Sequence, residues 1–208
     1  IYQSAPMYSA DVSVSGCNTG VRYYLSGGAL SQDGLRMGSS YNKVFGRINL
    51  DAKVNDWVRA NINTQVSYDA TRVSPFGNNN AVGGGLAAMN APFASPYDPN
   101  TGKELVRVPL LDIATPSHVI ETNPAKTNNC ILSTNGNLTI TPLKNLTLRS
   151  LIGLELDYGN SRSRTLPSYY RAYGNGSSER SFSMASNIKI KNKASNNMTL
   201  DHQHLTTQ

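Results

Sequence analysis

Two neighbouring stretches of the chain alternate strictly between apolar and polar residues. Between Lys43 and Asn55 the even positions are apolar, and the odd positions mostly carry charged residues and amides. The same alternation runs from Val58 to Asp69, after a break at Asn55 and Asp56. A period of two is typical of a β-strand, because successive side chains point to opposite faces. The two stretches are therefore predicted to form a β-hairpin.

The length of this hairpin bears on its surroundings. Each predicted strand has about eleven residues or more, whereas strands of globular proteins commonly have five or six. A strand of this length suits a tilted crossing of a lipid bilayer, with one face towards lipid and the other towards a wet lumen. A long hairpin of a soluble β-sandwich with one solvated face explains the same pattern. The hairpin alone leaves both interpretations open.

Six further stretches alternate in the same way, some of them loosely. Together with the hairpin they predict eight antiparallel strands and essentially no helix. These stretches are 10–16, 21–32, 131–140, 146–158, 181–193 and 198–205. The stretch 146–158 is the clearest of the six, although Leu151 lies on its polar face.

The connections between the predicted strands alternate between short and long. The short ones are 17–20, 55–56, 141–145 and 192–197, and the long ones are 31–40, 70–129 and 159–180. Outer-membrane barrels have this arrangement, with tight turns at one rim and long extracellular loops at the other. A loop as long as 70–129 is uncommon in a compact soluble domain. We therefore predict an all-β fold, an antiparallel transmembrane β-barrel segment of about eight strands with long extracellular loops.

Composition excludes several other classes of protein. The chain has 208 residues, of which 38% are hydrophobic and only 15% are charged, and its formal net charge is +6. Charge this sparse argues against a disordered tail or a coiled coil. Lys and Arg are scattered along the predicted strands, so the basic balance does not indicate a nucleic-acid partner.

The first third of the chain also carries a series of motifs in a characteristic order. They are SVSG at Ser13–Gly16, YYLSGG at Tyr23–Gly28, Gln32 with Gly34, Tyr41 with Arg47, Asn49, Leu50 and Asp51, and Asp56–Trp57. This series resembles the barrel segment of the SusC-like TonB-dependent outer-membrane transporters. The resemblance is looser at SPYDPNTG, which is Ser95–Gly102. Cys17 stands where the family usually has a second glycine.

The resemblance implies more than the alternation does. Such transporters close a barrel of about 22 strands around a plug. They import glycans or peptides through the outer membrane of a Gram-negative bacterium, with a SusD-like surface lipoprotein and energy from the TonB complex. Residues 1–208 are then expected to form an internal part of one barrel domain, without the plug domain or the TonB box. A small independent eight-stranded barrel remains an alternative, as does a soluble secreted β-sandwich that binds glycan or protein.

Two groups of residues are candidates for contact with a substrate. Polar side chains of the predicted strands would line the lumen, namely Arg47, Asn49, Arg59, Asn61, Asn63, Gln65, Arg149 and Glu155. Aromatic side chains of the loops could stack on sugar rings or contact the lipoprotein, namely Tyr97, Tyr169, Tyr170 and Tyr173. Ordinary packing within the loops explains these tyrosines equally well.

No motif in the sequence predicts an enzyme, a metal site or a cofactor. His202 and His204 share a face of a predicted strand, but no third ligand lies nearby. His118 with Asp112 or Glu121 could be arranged into a catalytic triad, but so could such residues in most sequences. We therefore expect a binding and transport protein without chemistry of its own.

The two cysteines are predicted to be free. Cys17 lies in a predicted short turn and Cys130 at the loop end of a predicted strand. The membrane band between these two rims is about 25 Å tall, whereas the Cα atoms of a disulfide lie about 4.4 to 6.8 Å apart.

Overall fold

The protein is built around one antiparallel sheet of eight strands, paired in chain order. The computed structural model describes residues 2–73, 95–108, 113–200 and 203–207. The strands of the sheet are β1 (Met7–Asn18), β2 (Val21–Asp33), β3 (Ser40–Lys53), β4 (Val58–Val73), β7 (Ala125–Leu143), β8 (Leu146–Thr165), β9 (Ser177–Leu200) and β10 (Gln203–Thr207). The sheet is open, since no pairing joins β1 to β10 in the described part of the chain. The predicted all-β antiparallel class is confirmed.

The remaining described elements lie in the connections. A two-stranded ribbon joins β5 (Arg107–Val108) to β6 (Ile113–Ala114), and the helix α1 (Pro116–Thr122) follows it. A 3-10 turn at Tyr170–Ala172 lies between β8 and β9. In the part of the chain that the structure describes, no helix is long and apolar enough to cross a membrane. Residues 74–94 and 109–112 of the predicted long loop lie outside the described residues.

Most strands extend beyond their predicted ends. β7 begins at Ala125 rather than at residue 131, and β8 continues to Thr165, seven residues past Tyr158. The extensions are polar, and they pair with each other, as Ala125 does with Ser163. Backbone hydrogen bonds do not require apolar side chains, so the ladder continues where the alternation of apolar residues ends. The connection between β4 and β7 is accordingly 74–124, and that between β8 and β9 is 166–176.

The predicted turn at residues 192–197 is wrong. β9 continues through it to Leu200, and Asn192 and Asn196 pair with Ser150 and Leu146 of β8. Asn is depleted in strands but is compatible with a strand that has a solvated face and a pairing partner. Pairing with β8 therefore overrides the turn-like composition of this stretch.

The register divides the sheet into two faces. Directly paired residues of antiparallel strands have side chains on the same face, so one rung of the ladder can be followed across the sheet. One such rung runs Val14, Leu25, Ile48, Thr64, Thr134, Leu154 and Ile188. The next rung, one residue away, runs Ser13, Ser26, Arg47, Gln65, Ser133, Glu155 and Asn187. The sheet thus has a continuous apolar face and a continuous polar face over seven strands.

The apolar face is exposed. Val12 is 72% exposed, Ile188 67% and Ile152 55%. The large exposed hydrophobic residues of this face are Tyr8, Val12, Val14, Val21, Tyr23, Leu25, Val44, Ile48, Leu50, Ile62, Val66, Tyr68, Leu138, Leu148, Ile152, Tyr158, Phe182, Met184, Ile188 and Ile190. Soluble monomers rarely expose apolar patches of more than a few hundred Å², so this face is suited to an apolar solvent.

The height of the apolar face fits a bilayer. On β8 it extends from Leu148 to Tyr158, which is about 34 Å along a strand. At a tilt of about 45° this length spans about 24 Å, close to the band of an outer-membrane barrel. Tyr68, Cys130 and Tyr158 share the rung at its loop end. The two tyrosines therefore lie where aromatic residues flank the apolar band.

An arginine is expected to have opposite consequences at two adjacent positions of β8. Ile152 lies at the middle of the apolar face and Leu151 on the polar face. In the bilayer, Ile152→Arg should lower the free energy of unfolding by about 2 to 4 kcal/mol. The matched control, Leu151→Arg, should change it by less than about 1 kcal/mol, because its charge would remain in water. Denaturant unfolding in lipid vesicles measures both, and equal losses would contradict the assignment of the faces.

Candidate functional site

The eight predicted lumen residues all lie on the polar face of the sheet. Six of them, on β3 and β4, are direct or near neighbours, whereas Arg149 and Glu155 lie on β8, two strands from β4. Together the eight occupy four successive rungs of this face, which cover about 20 Å along the strands. These four rungs pass through Arg47–Gln65, Asn49–Asn63, Asp51–Asn61 and Lys53–Arg59. The structure thus brings the predicted residues into one patch, which we call the polar patch.

Side-chain hydrogen bonds order the middle of the polar patch. The Arg47 guanidinium donates from Nη2 to Oε1 of Gln65 at 2.8 Å, and from Nε to the same oxygen at 3.3 Å. Asn63 donates to Oδ1 of Asn61 at 2.8 Å. Asn61 donates to the backbone oxygen of Leu50 at 3.1 Å. These contacts fix the side chains while leaving further amide donors and acceptors for a polar ligand.

The end of the polar patch nearest the short turns is basic. One rung contains Lys53, Arg59, Thr139, Arg149 and Lys193. The Arg59 guanidinium lies 3.9 Å from the carboxylate of Asp51, and both side chains are well exposed. An exposed pair at this distance contributes little to stability. This end of the patch therefore carries a surplus of positive charge.

Two further sets of polar-face residues lie beside the patch and were not among the predicted lumen residues. Ser133, Asn135 and Asn137 of β7 lie between the predicted residues of β4 and β8. Lys189, Lys191 and Lys193 of β9 continue the same rungs. Their odd parity was visible in the sequence, but their place beside the patch depends on the register between strands.

The loops contain a small buried core of their own. Val108 and Ala114 are each 1% exposed, and Val119 and Thr115 are 0% exposed. The Thr115 hydroxyl precedes helix α1 but caps no helix amide; it donates to the backbone oxygen of Leu105 at 2.7 Å. The ribbon of β5 and β6 is thereby tied to α1.

This loop core is also attached to the connection between β8 and β9. The backbone amide of Leu166 donates to the backbone oxygen of Thr122 at 2.8 Å. The Thr165 hydroxyl donates to Oδ1 of Asn123 at 2.9 Å. Gly38, in the connection between β2 and β3, has φ of 79°, and an added Cβ would lie 2.6 Å from Ile120. Three connections therefore meet at helix α1.

Aromatic rings gather at this meeting point. The rings of His118 and Tyr169 stack with centroids 6.0 Å apart and an interplanar angle of 21°. Tyr170 meets Tyr169 edge-on at 5.2 Å, and the Arg171 guanidinium lies 5.3 Å from the centre of the Tyr170 ring. We call His118, Tyr169 and Tyr170 the aromatic cluster.

The four predicted loop tyrosines therefore divide into two groups. Tyr169 and Tyr170 are half-buried in the aromatic cluster. Tyr97 is 53% exposed and forms a backbone bridge with Glu104, and Tyr173 is 87% exposed in a left-handed conformation with φ of 48°. Only the last two present most of their ring surface to solvent.

Burial shifts two ionisable groups of the cluster. Burial lowers the pKa of the His118 imidazole, and the charge of Glu121 opposes this only in part. Burial raises the pKa of the Tyr169 hydroxyl, with a smaller contribution from Tyr170. The Nε2 atom of His118 is buried and has no hydrogen-bond partner among the described residues. The cluster therefore favours the neutral imidazole.

The described residues include no cluster with the composition of a metal site. In the described ranges, no group of three or more His, Cys, Asp or Glu is placed to hold a metal ion. His202, considered above as a metal ligand, and Asp112, considered as part of a catalytic triad, lie outside these ranges. Cys17 and Cys130 are both free, as predicted, and Cys130 lies within β7 rather than at its start.

No family model matches the chain. The chain is 33% identical over 78 residues to TonB-dependent receptor P26 of Formosa agariphila. It also has the fold of two solved structures at 22% sequence identity. These are the RagAB peptide transporter, with a TM-score of 0.86 over 99% of the chain, and the RagAB peptide importer in its closed-closed state, with 0.83 over 96%.

The resemblance to the SusC-like TonB-dependent transporters is confirmed. The matched stretch covers 38% of this chain and 8% of the receptor from Formosa agariphila. The likeness in fold covers 24% of the solved RagAB transporter chain. The chain therefore spans well under two thirds of the length of these proteins.

Lowering the pH is expected to loosen the loop core. The lowered pKa of His118 means that its stabilising contribution is fully present above the unfolded value of about 6.5. This contribution is lost as the pH falls below that value towards the lowered folded pKa. Backbone amides of α1 and of residues 166–173 should therefore lose protection from hydrogen exchange between about pH 7.5 and pH 5.5.

His118→Phe is the matched control for this experiment. Phenylalanine keeps an aromatic ring against Tyr169 but cannot be protonated. After correction for intrinsic exchange, its protection should be the same at both pH values. A loss of protection equal to that of the unsubstituted protein would assign the effect to another group.

Proposed function

We propose that this chain forms part of the wall of an outer-membrane importer that takes up oligosaccharides or peptides. The observation that carries the proposal is the exposed apolar face, which runs without a break across seven strands. Its height is that of a bilayer's apolar band. The fold shared with the RagAB transporter supports the same setting.

The polar patch would then face the lumen and contact the passing substrate. Amides such as Asn49, Asn63 and Asn135 lie on one rung and can both donate and accept hydrogen bonds. These amides suit the hydroxyl groups of an oligosaccharide and the amide groups of a peptide equally, so the proposal includes both classes of substrate. Transport by such a wall requires binding and gating, and no covalent chemistry.

The loops would form the outer end of the importer. The exposed rings of Tyr97 and Tyr173 are available to stack on a sugar or a side chain of a substrate. The loop core, to which three connections contribute, would offer an ordered surface to a SusD-like surface lipoprotein. Energy for uptake would come from the TonB complex through parts of the transporter that this sequence does not contain. The proposed location is the outer membrane of a Gram-negative bacterium.

Deletion of the gene is expected to abolish uptake of one of the two substrate classes. Fluorescent oligosaccharides and fluorescent peptides would be supplied separately to deletion and complemented strains. Accumulation should require both the gene and an active TonB complex. The protein should be found in the outer-membrane fraction, in a polypeptide larger than 22.5 kDa. Recovery in the soluble fraction would instead indicate a secreted β-sandwich, and a membrane protein near 22.5 kDa a small independent barrel.

Removal of two amides from the polar patch is expected to weaken uptake. In Asn49→Ala combined with Asn63→Ala, each lost hydrogen bond should cost about 0.5 to 1.5 kcal/mol. The substrate concentration for half-maximal uptake should rise about tenfold. Val66→Ala, which shortens an exposed side chain of the apolar face, should leave that concentration unchanged. An equal effect of the double variant and of Val66→Ala would argue against substrate contact by the patch.

A further inference from the structure

The apolar face carries positive charge only at its loop end. Among the described strand residues of this face, every Lys or Arg lies at least four residues beyond the rung of Tyr68 and Tyr158. These residues are Arg72, Lys126, Arg162, Arg164 and Arg180. The rest of the face, down to the short turns, is free of Lys and Arg in the described strands.

Four of these cations form one continuous row. Arg72 pairs with Lys126, Lys126 with Arg162, and Arg162 with Arg180, on four adjacent strands. Adjacent strands lie about 4.8 Å apart, so the row is about 15 Å wide. All four side chains are exposed. We call this row, with Arg164 above it, the basic row.

Like charges directly opposite one another on neighbouring strands are destabilising, so a bound anion would stabilise the row. The ion pairs Lys53–Asp56 and Arg59–Asp51 lie near the short turns, away from these cations. The acidic residue of the described apolar face is Asp33, which is on the same rung but two strands from Arg72. At about 10 Å in water its charge is largely screened.

The surroundings of the basic row mark the edge of the apolar band. The rung between it and the tyrosines contains Asn42, Ala70, Asn128, Asn160 and Phe182, so amides replace the aliphatic residues. The Arg180 guanidinium lies 4.5 Å from the centre of the Phe182 ring and donates to Oδ1 of Asn160 at 3.3 Å. The row lies about 10 Å above the tyrosines when the strand tilt is included. That is the level of lipid headgroups.

A shallow cavity lies between the cations. It has a volume of about 370 Å³, and Arg72, Lys126, Arg162 and Arg164 line it together with Ser40 and Pro124. Guanidinium groups bind phosphate oxygens through two parallel hydrogen bonds, and exposed lysine acts as a point charge. The cavity thus combines phosphate-binding groups with a position beside the lipid.

We propose that the basic row is a binding site for the phosphate groups of lipids in the leaflet at the loop end. This site rests on the proposed function, since it requires the apolar face to lie against lipid. It would fix the height of the transporter in the membrane from outside the barrel, on the opposite face of the sheet from the polar patch. The ligand is a lipid-borne phosphate, because the row continues a lipid-facing surface.

The test compares two triple variants of the full-length transporter in detergent. The first is Arg72→Gln, Lys126→Gln and Arg162→Gln, and the matched control is Lys189→Gln, Lys191→Gln and Lys193→Gln on the polar face. Both remove three positive charges from the same sheet. Binding of bisphosphorylated lipid A, with phosphatidylcholine as the reference lipid, is measured by native mass spectrometry. Gel electrophoresis of heated and unheated samples shows whether each variant is folded, because a folded barrel and its unfolded chain migrate as different bands.

The first variant should bind lipid A about a hundredfold more weakly, and the control should bind it as the unsubstituted protein does. Lys126→Gln alone should weaken binding about fivefold, with little risk to folding. Equal binding by both triple variants would overturn the site. Displacement of lipid A by inorganic phosphate at the same concentration would also overturn it, because it would assign the row to free anions. Lipid binding is measured in detergent, so its result does not depend on uptake or on cell fractionation. If gene deletion left uptake unchanged, or if the protein were found in the soluble fraction, the proposed function would be contradicted and the lipid-binding result would stand.

Discussion

The structure depends on one constraint, which is that no described residue of the chain covers the apolar face of its sheet. Neighbouring strands pair the backbone N–H and C=O groups of the sheet with one another. The sheet can therefore point its apolar side chains outward without leaving unpaired backbone groups in an apolar environment. The residues that would form the core of a soluble protein, such as Ile152 and Ile188, are more than half exposed. The described buried hydrophobic core lies instead in the loops, at Val108, Ala114 and Val119. An apolar solvent on one side and water on the other account for both observations.

The same constraint explains which parts of the fold could be predicted. Where the two faces meet different solvents, every second residue is restricted, and the alternation from Lys43 to Asp69 predicted β3 and β4 closely. Beyond Tyr158 both faces are polar, so the sequence of β8 resembles a loop although its ladder continues to Thr165. The prediction of a turn at residues 192–197 was wrong for the same reason. Strand ends outside the apolar band are determined by pairing, which composition does not encode.

The candidate site could likewise be predicted only in part. Parity placed the polar-patch residues on the correct face, because the side of a strand is a local property. It could not show that Asn135 lies between Asn63 and Gly153, since that neighbour relation depends on the register of three strands. The aromatic cluster joins His118 to Tyr169 across 51 positions of the sequence. Only tertiary contacts between connections bring these rings together, and no periodicity indicates them.

The central claim, that the two faces of the sheet meet lipid and water, is tested most directly by spin labels scanned along β8. Cys17 and Cys130 would be replaced by serine, and single cysteines introduced from residue 148 to residue 158 of the full-length protein in bilayers. Labels at even positions should be accessible to oxygen dissolved in lipid, and labels at odd positions to a water-soluble nickel complex. Accessibility that alternates with this phase supports the account. Access of the nickel complex to both sets of positions would contradict it.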